Sequence, residues 1–71
     1  MVRQYLIELR EKTKESQQEV ADAVGISRQY YSFIEAGLRQ KRMDITLAMK
    51  LARHFAVDVG EIIAHEDALA N

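Results

Sequence analysis

The stretch from Ser16 to Gly37, SQQEVADAVGISRQYYSFIEAG, constrains the fold more than any other part of the chain. Its punctuation predicts two short helices and a tight turn between them. Ser16 stands ahead of a helical pattern, with Glu19 three residues on. That spacing is a capping box, in which the serine side chain takes one unpaired helix amide and the glutamate reaches back to another. Gly25 comes where the first helix needs a left-handed residue to stop. Ser27 is placed to cap a second helix over Arg28 to Ala36.

Burial explains the bend. Val20, Ala21 and Val24 make one apolar stripe on the first of these helices. Ile26 in the turn, with Tyr31 and Ile34 beyond it, closes over that stripe, so the helices must cross steeply as a helix-turn-helix. The second helix then has another face. At about 100° per residue, Gln29, Phe33 and Ala36 point roughly opposite Tyr31, with Ser32 beside them and Arg28 at the tip. Gln and Arg can hydrogen-bond base edges in two places at once, and Phe can pack on a thymine methyl. Phe33 has two readings: an exposed ring for a groove partner, or a side chain that packs into the core.

The stretch resembles the helix-turn-helix of the phage Cro/cI repressors, also called Xre-like. The matching residues are Arg10, Ser16, Gln17, Glu19, Val20, Ala21, Val24, Gly25, Ile26, Ser27, Ile34, Glu35 and Gly37. The likeness extends more weakly from about Leu6 to Ile63. It implies an all-α bundle of five short helices, and a sequence-specific DNA-binding regulator, a repressor of bacterial or phage type. It places Arg28, Gln29, Ser32 and Phe33 where the family contacts bases. It places Ser16, Gln17 and the loop bases Arg39, Lys41 and Arg42 where the family contacts phosphates. Arg10 and Glu35 are expected to pair beneath that surface. Two departures stand out. Lys14-Glu15 replaces the usual glycine and apolar residue, and Ala36 replaces a frequent phosphate-holding Asn.

Size and composition bound the rest. Seventy-one residues allow one small domain, and a chain of this size buries only about 60% of its unfolded surface. There is no Cys to supply a disulfide or a thiolate metal site, no Pro, and 48% of the residues are hydrophobic. That composition suits a helical bundle and, without alternating β-branched runs, no sheet. No stretch approaches the roughly 20 apolar residues of a membrane span. Arg3, Glu8, Arg10 and Glu11 interrupt any leader-like run, so the expected place is the cytoplasm.

A net charge of −1 speaks against a nucleic-acid partner, but the charge is unevenly spread. Residues 36–53 hold five bases (Arg39, Lys41, Arg42, Lys50, Arg53) against Asp44 alone. Residues 54–71 hold four acids (Asp58, Glu61, Glu66, Asp67) and neither Lys nor Arg. A local basic patch is what a duplex meets.

Apolar spacing predicts helix one over Val2 to Lys14, with Val2, Leu6, Leu9 and Tyr5 inward and Arg3, Glu8, Glu11 and Lys12 outward. Leu38 to Met43 reads as a basic loop, either an ordinary solvated connection or a phosphate contact, pinned by Leu38 and Met43. Asp44 is expected to cap helix four, Ile45 to Phe55, whose inward face is Ile45, Ala48, Met49, Ala52 and Phe55, with Leu51 sharing it. Asp58 and Glu61 form a second capping box ahead of helix five, anchored by Ile62 and Ile63. The domain is expected over 1–65, with 66–71 a frayed tail or a helical extension.

No active site, metal site or cofactor site is expected. His54 and His65 lack metal-ligand spacing, and no glycine-rich phosphate loop is present. The expected partner is double-stranded DNA carrying an inverted repeat. It would be read by a homodimer that forms in solution or only on DNA, through helix five and the loop before it. Val57, Val59 and Ile63 either make that contact or finish the core. The rival is a protein-interaction module of the same fold, an antitoxin, anti-repressor or adaptor, docking through Tyr30, Phe33 and Leu38.

Overall fold

Local signals and burial together place five helices, and the computed structural model of the protein describes residues 1–70. The helices are α1 (Gln4–Lys12), α2 (Gln17–Val24), α3 (Arg28–Glu35), α4 (Ile45–Phe55) and α5 (Val59–Ala70). Among the described residues there is no strand. α2 packs on α3 and on α4, α1 packs on α3, and α4 packs on α5.

The motif forms as its punctuation requires. The Ser16 hydroxyl accepts the Glu19 amide at 3.1 Å, and the Ser16 amide donates to the Glu19 carboxylate at 2.8 Å. Gly25 closes α2 at φ +77°, in the left-handed region. Ser27 accepts the Tyr30 amide at 3.1 Å. Val20, Ala21, Val24, Tyr31 and Ile34 are buried together, with Ile26 packed against them. Leu6, Leu51, Ala52, Phe55 and Ile62 complete the core from the other three helices.

Helix α1 is shorter than apolar spacing predicts. Val2 is exposed, whereas Arg3, expected outside, is only 3% exposed. The reason is polar. The Arg3 amide donates to the Glu35 carbonyl at 2.7 Å, and its guanidinium finds five acceptors described below. A charged side chain with every donor satisfied tolerates burial that hydropathy forbids. At the other end, Thr13 caps α1 and Lys14 takes φ +58°, the left-handed turn a glycine would favour. Glu15, in place of the apolar residue, is held by polar contacts. Its carboxylate accepts from the Thr13 hydroxyl at 2.6 Å and lies 2.8 Å from His54 Nε2 on α4. The Thr13 hydroxyl first, and His54 after it, hold the Glu15 carboxyl below the usual carboxylate range.

Helix α4 turns a different face inward than expected. Leu47, Ala48, Leu51, Ala52 and Phe55 are buried, while Ile45 and Met49 are 55% and 47% exposed. At about 100° per residue, a stripe centred on Leu51 and Phe55 leaves Ile45 and Met49 about a quarter turn or more aside. Spacing alone allows either stripe, and packing against α2 and α5 puts the leucine pair in the core. Asp44 stands at the cap position without a side-chain capping bond. Its own amide donates instead to the Gln40 side chain at 2.9 Å. Ala56, which ends α4, is left-handed at φ +56°.

Helix α5 is capped by Asp58, which accepts the Gly60 amide at 2.7 Å, with no reciprocal bond from Glu61. Ile62 is buried but Ile63 is exposed, so only one of the two expected anchors holds. Of the two readings of this stretch, a frayed tail or a helical extension, residues 66–70 form the extension; residue 71 lies outside the described residues. Glu66 ties this last stretch to Arg3, which is the physical reason it is ordered.

Candidate nucleic-acid interface

Helix α3 buries Tyr31, Ile34 and Glu35 and turns its other side outward. Arg28 and Gln29 are exposed, and Ser32 and Phe33 are half-buried. Phe33 thus falls between its two readings: one part of the ring packs and the other remains on the surface. The Arg39 guanidinium lies over that ring, 5.6 Å from its centroid, in cation–π range. Ser27, Gln29, Tyr30, Phe33 and Arg39 line one shallow, open depression.

The expected phosphate-contacting residues divide. Ser16 and Gln17 stand at the start of α2. The Ser16 oxygen is engaged in the cap, yet its hydroxyl proton can still be donated. Gln17 Nε2 donates to Glu35 at 3.0 Å, which fixes the side chain and spends one of its two amide protons. Arg39 sits with α3. Lys41 and Arg42, both exposed, line a separate groove with Met43, Ile45 and Ile63. The loop is therefore not one basic patch. It sends one base onto the α3 surface and two towards α5.

Beneath this surface lies the Arg10–Glu35 pair. Arg10 Nε is 2.7 Å from Glu35 Oε2, and Nη2 donates to Oε1 at 3.2 Å, a two-pronged contact. Burial alone would raise the Glu35 carboxyl. Arg10 first and then Gln17 outweigh burial and hold it below the usual carboxylate range. The hydrogen bond that Arg10 donates to Glu35 in turn raises the Arg10 guanidinium. The Tyr31 hydroxyl is buried beside the pair without forming a well-directed hydrogen bond, and burial pushes its ionisation up. Glu35 thus ties α1, the start of α2 and α3 into one unit at the base of the outward face.

The loop itself is held by residues that sequence reasoning missed. Gln40, at φ +57°, gives a side-chain proton to the Tyr30 hydroxyl at 2.7 Å while accepting the Asp44 amide. Arg3 holds the loop carbonyls. Leu38, expected to pin the loop, is 58% exposed, and Met43 alone packs against the core. No periodic signal marks Arg3 or Gln40, because their partners are carbonyls, a carboxylate, a hydroxyl and an amide that lie on no common helical face with them. Among the described residues, no group of three or more His, Asp or Glu side chains lies close enough to hold a metal ion. No helix is long and apolar enough to cross a membrane.

Two short helices crossing over Val20, Ala21 and Ile34, the second presenting an uncovered polar face, define a helix-turn-helix protein. The helix-turn-helix family model HTH_3 matches residues 6–62, and the chain belongs to that Xre, Cro/cI-like family of DNA-binding regulatory domains. Neither a curated protein nor a solved structure matches the chain.

Proposed function

We propose that the protein is a sequence-specific repressor of bacterial or phage type, working in the cytoplasm and reading the major groove with α3. The observation that carries this reading is the uncovered outer face of α3. Arg28 and Gln29 are exposed there, and Phe33 and Arg39 share one surface with Gln29. In this reading Arg28, Gln29, Ser32 and Phe33 contact base edges and methyl groups. Ser16, Gln17, Arg39, Lys41 and Arg42 contact phosphates, which fix register without reading sequence. No cofactor and no chemical step is involved.

One reading helix is a small surface, and single modules seldom reach the usual specific affinity of about 10⁻⁸ M. Two copies about a two-fold axis would read an inverted repeat with half-sites about 34–36 Å apart. Val57 and Val59 are packed against the core, which leaves Ile63 as the expected contact residue that is exposed.

Selection from random DNA, followed by titration of the selected site and an unrelated duplex across salt concentrations, tests the reading. A strong preference for one sequence together with a steep salt slope is expected. Equal affinity for both duplexes would favour the interaction module, for which the exposed Leu38 is the supporting observation.

A further inference from the structure

The Arg3 guanidinium has five N–H donors and uses all five. Nε donates to Glu66 Oε2 at 2.7 Å, and Nη2 donates to Glu66 Oε1 at 2.9 Å. Nη1 donates to the carbonyls of Ile34 at 2.8 Å and Arg39 at 3.0 Å, and Nη2 also donates to the carbonyl of Gln40. One side of the fork therefore grips the last turns of α5. The other grips the end of α3 and the loop that follows it.

Its surroundings give it little freedom. The Arg3 amide bonds the Glu35 carbonyl, and the Met1 backbone passes so close to Gly37 that a Cβ there would collide with the Met1 carbonyl. Glu66 also accepts from the Tyr5 hydroxyl, so its carboxylate is fixed as well. Gln40, one of the gripped residues, is in the left-handed region, a backbone state that surrounding contacts must hold in place.

We infer that Arg3 and Glu66 are positioning residues for the DNA-contacting loop: they set its backbone path, and through it the places of Arg39, Lys41 and Arg42, without touching the duplex. The inference rests on the DNA-binding reading above. It makes the end of α5 a determinant of DNA affinity. Lysine cannot replace Arg3, because an ammonium group offers three donors from one point, whereas the guanidinium fork reaches a carboxylate and three carbonyls at once.

The sign of the effect separates positioning from general electrostatics. Removing an acid from the protein should strengthen DNA binding if only net charge matters. Positioning requires the opposite. The test compares the full chain with Glu66→Ala and Arg3→Lys, the latter leaving net charge unchanged. Hydrogen exchange is followed in the free proteins, and titrations use the selected site and an unrelated duplex across salt. In both variants the amides of Leu38, Arg39 and Asp44 should exchange faster. Affinity for both duplexes should fall by about ten-fold, and the salt slope should become shallower by about one unit. The base preference set by Gln29 should be retained. A folded Glu66→Ala protein with unaltered loop exchange overturns the clamp, and faster exchange with equal or tighter DNA binding overturns its role in recognition. A wild-type chain that prefers no sequence fails the DNA-binding reading itself, while loop exchange in the free proteins still decides whether the clamp exists. Should Glu66→Ala lose helix content, Arg3→Lys carries the same measurements.

Discussion

At the scale of single residues, the proposed function assigns reading and holding to different side chains. Gln29 is exposed on the outer face of α3, whereas Arg42 lies in the loop on the α5 side. Gln29→Ala should relax preference at one or two base pairs, costing roughly 1–3 kcal/mol against the best site. Arg42→Ala should weaken binding to every sequence alike and flatten the salt slope by about one unit. Competition titrations against single-base variants of the site check both, and the reverse pattern would mean that another surface is docked. The Arg10–Glu35 pair is expected to contribute to stability. Glu35 is almost fully buried and Arg10 largely so. A double-mutant cycle in urea should therefore give a coupling of roughly 1–3 kcal/mol, above the value of an exposed pair. A coupling of a few tenths would remove the pair from the account. The pH dependence has a definite sign. The Glu35 carboxyl lies below its ordinary value of 4.5 in the folded chain, so it binds protons more weakly folded than unfolded. Its contribution is complete above that value and is lost as pH falls through the folded pKa. Urea midpoints of the native chain should decline in that acid window, and Arg10→Met should abolish this part of the decline.

At the scale of elements, two helix ends are closed by side-chain-bearing residues in a glycine conformation. Lys14 follows α1 at φ +58° and Ala56 follows α4 at φ +56°. Each places a Cβ against its own carbonyl, at a cost of about 1 kcal/mol. Ala56 is exposed. Ala56→Gly should therefore raise stability by roughly 0.5–1 kcal/mol despite the added freedom of the unfolded chain. Thermal unfolding at neutral pH measures it, and a lower midpoint would contradict the strain argument. Gly37 is a different case. It combines φ +77° with the Met1 backbone against it, so any side chain there is strained and must displace Met1.

At the scale of the whole molecule, the domain measures 29 × 24 × 21 Å and has an apolar surface beside its basic loop. Ile45, Met49 and Ile63 are exposed, and a groove containing Ile45 and Ile63 is flanked by Lys41 and Arg42. If two copies pair on DNA, this is the face left for the contact, since Val57 and Val59 serve the core. Sedimentation of the protein with its selected site should give two chains per duplex, and Ile63→Glu should reduce this to one at equal concentration. A one-to-one complex of the native chain on a non-palindromic site, at saturating protein, would exclude the dimer.

The helix-turn-helix was legible without coordinates because its determinants are local. Ser16 with Glu19, Gly25 and Ser27 each act within a few residues, and the stripe of Val20, Ala21 and Val24 repeats at helical spacing. Arg10 and Glu35 were legible for another reason: both fall on motif positions of a recognised family. What spacing left open was decided by packing. Both candidate stripes of α4 satisfy the helical period, and only the room available beside α2 and α5 selects Leu47 and Leu51 over Ile45 and Met49. Residues 66–70 carry no capping signal, and their order comes from an ion pair with Arg3, 63 positions away in the chain. Arg3 itself reads as a surface charge because hydropathy counts transfer from water and not the acceptors waiting at the destination. Local chemistry thus determined where α3 begins and ends. Tertiary structure decided how the loop beside it is held, because the guanidinium that holds it is satisfied by α5, the end of α3 and the loop, which only the folded chain brings together.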